Sequence, residues 1–99
     1  MAEGAAVLPA PGETPGHPIV RVRSNGQTLY CVGDLFHLVV EAERPALMVH
    51  WSGRAATLAS RKALSKAALA EDAMIVATHI SGVGRLRRTG AGVSWAVSR

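Results

Sequence analysis

Residues 11–34 read PGETPGHPIVRVRSNGQTLYCVGD, a proline- and glycine-rich approach followed by two apolar runs around a single Asn-Gly. Asn-Gly is the preferred centre of a two-residue hairpin loop, because a type I′ turn needs positive φ at both positions. Ile19–Arg23 and Gln27–Val32 therefore form a hairpin, and so short a loop leaves it one register. Counting outward from Ser24 opposite Gln27 sets Val22 against Leu29, Val20 against Cys31 and Ile19 against Val32. Carried to the open end, the same count brings His17 to Asp34. Opposed residues have Cβ atoms about 4.5–5.5 Å apart, within reach of one ion. Pro18 has no N–H for the ladder, so closeness rather than strict opposition is expected there. On this register Cys31 and Val20 share an apolar face, which makes Cys31 a core thiol. Arg21 and Arg23 then project from the other face toward solvent.

Outward from the hairpin, residues 1–18 hold four of the five prolines and three glycines, so this stretch reads mostly as loop. Ala5–Leu8 is apolar enough for a short strand before Pro9 and Pro11 interrupt it. Leu35–Glu43 reads as a helical turn or two that Pro45 ends. Arg54–Ala70 lacks Gly and Pro and is dense in Ala, Leu, Lys and Arg, which predicts a helix. At about 100° per residue, Arg54, Arg61, Lys62, Ser65 and Lys66 share a polar arc. Ala56, Ala59, Ala63, Leu64 and Ala67 share the arc that packs on a sheet. Met74–Ala77 is a short apolar run read as a buried strand, with His79 just past its end. Ser81–Gly84 reads as a loop, and Arg85–Arg88 and Val93–Val97 as a second hairpin with Val93, Trp95 and Val97 on one face.

At 99 residues the chain is at most one domain. Eleven Lys and Arg against seven Asp and Glu give a net charge of +4, which permits nucleic-acid binding without arguing for it. A lone cysteine excludes an internal disulfide and a multi-cysteine zinc site, and suits a reducing, cytoplasmic setting. No apolar run approaches the roughly 20 residues needed to span a bilayer. The N-terminus has no basic segment leading into an apolar one, so no secretory signal is read there.

A histidine and a carboxylate meeting at a loop-rich sheet end make a half-site for zinc. His79 adds a third donor from the end of another strand. The plainer reading is a surface His–Asp hydrogen bond beside an unrelated histidine. His37, three residues after Asp34, is a candidate to line a pocket next to the site, its plainer reading being a loop histidine. His50 beside Trp51 reads as a packing pair. The rival site is the basic cluster Arg85, Arg87 and Arg88, as a contact to a nucleic-acid backbone. It lacks interleaved aromatics and any nucleic-acid motif. SGVGRL has no Lys-Ser/Thr ending of a phosphate loop, and no nucleophile elbow frames Ser24 or Ser81.

VLPAPGETPGHPIVRVRSNGQTLYCVGD (7–34), AMIVATHISGVGRL (73–86) and GRLRRTGAGVSWAV (84–97) together resemble the second half of the metallo-β-lactamase-fold hydrolases. The resemblance implies an α+β fold: the C-terminal half of an αββα sandwich, a mixed sheet with hairpins plus one or two helices. Residues 1–99 would be a single partial domain. It implies His17 and His79 as histidine ligands of the two metal sites, and Asp34 as the carboxylate that bridges them and orients the attacking water. His37 would be a substrate-side residue. The implied cofactor is zinc, two ions in the complete fold and at most one, weakly held, by these three donors. The implied chemistry is attack of an activated water on an ester, lactone, thioester, amide or phosphoester.

The departures matter too. The signature His-x-His-x-Asp-His is absent. Glu13 stands where many members have histidine, and Pro18 replaces the usual Thr or Ser. The expectation is a truncated product, or half of a protein completed by another chain, inactive alone. It would expose one sheet face and so self-associate, and would meet a small-molecule substrate only after completion by a first-half segment. Membrane association is not expected. The alternative is a small basic α+β binding module whose three site-like residues are merely structural.

Overall fold

Asn25 and Gly26 take φ values of 53° and 74°, the two positive angles that a type I′ turn demands. The chain reverses there, and every observed partner follows the register expected from the turn: Val20 with Cys31, Arg21 with Tyr30, Val22 with Leu29, Arg23 with Thr28 and Ser24 with Gln27. The computed structural model describes residues 3–12, 16–47, 53–90 and 92–98. Its elements are β1 (Gly4–Pro9), β2 (Pro18–Ser24), β3 (Gln27–Gly33), α1 (Val39–Glu43), α2 (Arg54–Glu71), β4 (Met74–Ala77), β5 (Ile80–Thr89) and β6 (Gly92–Ser98).

The six strands lie in sequence order in one mixed sheet. All neighbours are antiparallel except β3 and β4, which run parallel and are joined through the two helices. A parallel pair needs such a crossover, and it leaves both strands with their C-terminal ends on the same sheet edge. The fold class is therefore α+β, as the sequence implied. The strand expected at Ala5–Leu8 is β1, paired along its length with β2.

The core lies between the sheet and α2. Ile19, Tyr30, Val32, Ile75, Ala77 and Leu86 face Leu64 and Ala68, with Leu35, Phe36 and Ala42 closing one end. This places Ile19, Tyr30 and Val32 of the hairpin inward, and so corrects the expected faces. Cys31 is half-buried on the side away from α2, with Val20, Val22 and Leu29, and is not a core thiol. Arg23 lies on the helix side and pairs with Glu71 at 2.8 Å rather than with water.

Two further expectations change. Ser81–Gly84 is not a loop but the start of β5. Gly84 is buried there because the Trp95 indole occupies the space a side chain would need. The helix expected at Arg54–Ala70 forms, but Arg61, assigned to its polar arc, is wholly buried. His50 and Trp51 lie outside the described residues, as does Glu13. No described helix is long and apolar enough to cross a membrane.

Candidate metal centre

Asp34 follows β3 at the edge where the parallel pair ends. Gly33 just before it takes φ +57°, and the β3–β4 register shifts between Cys31 and Gly33. Such an irregularity re-aims the following side chain. The Gly33 carbonyl then accepts the Thr78 N–H at 3.0 Å, which ties the turn between β4 and β5 to the end of β3. That turn carries His79. Its Nε2 comes to 3.2 Å from Asp34 Oδ1.

His37 completes the group from the segment leading into α1. Its ring stacks on that of His79 with centroids 5.0 Å apart and planes 28° from parallel. One ligand atom each from Asp34, His37 and His79 all lie within 4.8 Å of one another. Asp34 Oδ1 is buried and makes no hydrogen bond among the described residues, despite the nearby imidazole. A buried acceptor of this kind, beside two imidazoles, is suited to receive a cation. Two imidazoles and a carboxylate form a nitrogen and oxygen donor set that suits zinc and its first-row neighbours.

His17 reaches the same place from the other strand of the hairpin. The Asp34 main-chain N–H donates to its Nε2 at 3.2 Å, and its Nδ1 lies 3.3 Å from the Ala10 carbonyl. The ring therefore carries its proton on Nδ1 and presents the Nε2 lone pair toward Asp34. The closeness expected from the hairpin count is present, but through the aspartate main chain. Metal-binding histidines commonly donate their other ring N–H to a carbonyl, which fixes tautomer and orientation. His17 already has that partner.

Two residues that sequence reasoning passed over hold this corner together. Glu41 Oε1 accepts the main-chain N–H of His37 at 2.5 Å and of Leu38 at 3.2 Å. Glu41 Oε2 lies 3.4 Å from Arg61 Nη2. Burial lowers the Arg61 pKa from its ordinary value, and the adjacent Glu41 carboxylate works against that shift. Arginine stays charged in folded proteins, and here it faces a carboxylate. The only sequence signal was Glu41 standing one helical turn after His37, and nothing in the spacing named its partner.

The rival basic cluster is largely occupied. Arg87 Nη1 donates to Asp72 Oδ1 at 2.5 Å, and Arg85 donates to the Asp72 carbonyl. Asp72 ends α2 in a left-handed conformation. Arg85 and Arg87 thus secure the α2–β4 junction.

No protein-family model matches the chain, and no curated protein matches it. Solved structures do. AidC, a dizinc quorum-quenching lactonase in complex with the product N-hexnoyl-L-homoserine, superposes with a TM-score of 0.83 at 24% identity, over 96% of this chain and 34% of that one. The hydrolase AbOPH of the beta lactamase superfamily superposes with a TM-score of 0.85 at 20% identity, over 99% of this chain and 35% of that one. The chain spans about a third of the length of each.

Proposed function

From a chain that has the metallo-β-lactamase fold over about a third of the length of its solved neighbours, we propose the C-terminal, ligand-bearing part of a zinc-dependent hydrolase. The observation that carries this reading is the approach of His79 Nε2 to the unbonded, buried Asp34 Oδ1, where the ends of the parallel strands meet.

His17, Asp34 and His79 are the residues that would hold metal. A bound zinc ion supplies Lewis acidity, which brings the pKa of water toward neutrality and polarises a carbonyl or phosphoryl oxygen. Asp34 holds and orients the attacking water. His17 keeps its Nδ1 proton on the Ala10 carbonyl and frees Nε2 by giving up the Asp34 N–H. His37, stacked on His79, stands on the substrate side or joins the ligand set. The lactonase neighbour is in complex with a product, N-hexnoyl-L-homoserine, so lactones join the esters, thioesters, amides and phosphoesters to be tried.

Three donors, or four with His37, are too few for two catalytic zincs, which take about three protein ligands each even with a shared carboxylate. The 99-residue chain is thus expected to bind at most one zinc, weakly, and to hydrolyse simple esters or lactones at background rates. Adding a first-half segment with His-x-His-x-Asp-His should raise both, and His79→Ala or Asp34→Ala should then abolish turnover. Zinc titration and hydrolysis assays, with and without that segment, test this. Two tightly bound zincs or robust turnover in the chain alone would refute the need for completion. Absence of any zinc binding would refute the site.

A further inference from the structure

Glu41 is 1% exposed and Arg61 0%. Burying two charges costs several kcal/mol per ion before their attraction returns any of it, and an apolar pair of similar volume often packs as well. Helix-on-sheet packing alone therefore gives no reason for this pair.

Its contacts do. From α2, Arg61 donates to the Leu35 carbonyl through Nε at 2.9 Å, and through Nη1 to those of Pro45 at 3.0 Å and Leu47 at 2.6 Å. These carbonyls bracket the segment that carries His37. The Phe36 ring lies beneath the guanidinium, 5.4 Å from ring centroid to carbon. Glu41 acts from inside the segment, taking the main-chain N–H groups of His37 and Leu38 on one carboxylate oxygen. His37 is thus fixed from two directions, and it is the ring that stacks on His79 beside Asp34.

We propose that Glu41 and Arg61 are positioning residues for the metal centre, holding His37 against His79 so that its imidazole is presented to an ion at Asp34. This rests on the metal-site reading above and adds to it that His37 joins the donor set under the control of a buried ion pair.

The test uses the full 99-residue chain with cobalt(II) as the probe, because its visible spectrum reports donor set and geometry. The wild-type chain should give a cobalt-dependent visible band. Glu41→Gln keeps the acceptor oxygen but loses the charge that Arg61 faces, and Arg61→Met fills the volume without charge. Each is expected to weaken cobalt binding about 10–100-fold, the usual effect of losing a group that orients a ligand, and to shift the band, with far-ultraviolet circular dichroism unchanged. His37→Ala should weaken binding similarly. Combining it with Glu41→Gln should weaken it no further, since both changes remove one contribution.

If Arg61→Met does not fold, Glu41→Gln and the double variant decide the matter. Folded variants with wild-type affinity and spectrum would overturn the positioning role alone. Additive losses in the double variant would also overturn it, because the pair would then act through the fold. No cobalt binding by the wild-type chain would overturn the metal-site reading and the positioning role together.

Discussion

Two demands meet at Gly33. Its φ of +57° is strained for any residue with a Cβ, and a Cβ there would stand 3.2 Å from His17 Nε2. Gly33→Ala is expected to cost about 1–2 kcal/mol from backbone strain and to push the His17 ring off the Asp34 N–H. Urea unfolding measures the first effect, and the histidine ring resonances of the folded variant measure the second. An unmoved His17 resonance would show that the ring does not depend on this glycine. His17 and Asp34 were legible as neighbours because a two-residue turn admits one register, so arithmetic reached the end of the hairpin. Glu41 was not legible. Its carboxylate caps main-chain groups only because the segment from Leu35 to Leu47 curls around Arg61, and that curl follows from tertiary contacts with no spacing signature.

Where α2 ends, one carboxylate joins it to both strands of the first hairpin. Glu71 Oε2 accepts the Tyr30 hydroxyl at 2.6 Å, while Oε1 accepts Arg23 at 2.8 Å and Thr28 at 3.2 Å. Burial alone would raise the Glu71 pKa, but the Tyr30, Arg23 and Thr28 donors outweigh it and hold the carboxyl below its ordinary value. A group depressed in the folded state stabilises above its unfolded pKa, about 4.3 for glutamate, and that contribution disappears as pH falls through the folded value. Stability measured by denaturant should therefore drop as pH is lowered below about 4.3, and more steeply in the wild type than in Tyr30→Phe. Tyr30→Phe should itself cost about 1.5–3 kcal/mol near neutrality, as the loss of a hydrogen bond to a charged group. Equal acid slopes for the two proteins would exclude the Tyr30–Glu71 hydrogen bond as a source of the acid sensitivity. The helix was legible from composition, but its buried face was not. Periodicity scores an arginine as polar, and Arg61 goes inward because Glu41 and three carbonyls await it there. The hairpin faces were misjudged for a related reason: Arg21 and Arg23 looked solvated, although Arg23 has the Glu71 carboxylate to turn to.

Across the whole molecule, one sheet face is covered and the other is not. Val7, Val20, Val22, Leu29, Cys31, Met74 and Val76 alternate with the residues that pack on α2, and none of them is buried; Val7 is 72% exposed. The family resemblance was enough to anticipate a bare face, because a sandwich divided between its sheets must leave one. Which face it would be was not legible, since both sides of the hairpin carry aliphatic residues. Contiguous exposed apolar surface beyond a few hundred Å² promotes association. The 99-residue chain is therefore expected to self-associate and to enhance the fluorescence of a hydrophobic dye at micromolar concentration. Neighbouring positions on β3 separate the two faces cleanly. Leu29→Lys places a charge on the open face, and should reduce association and dye binding with little loss of stability. Val32→Lys puts the same charge into a site that is 0% exposed, where an unpaired ammonium costs several kcal/mol, and should unfold the chain. Sedimentation velocity and thermal unfolding of both variants distinguish them. A wild-type chain that is monomeric and blind to the dye would mean that this face is not sticky enough to need a covering sheet.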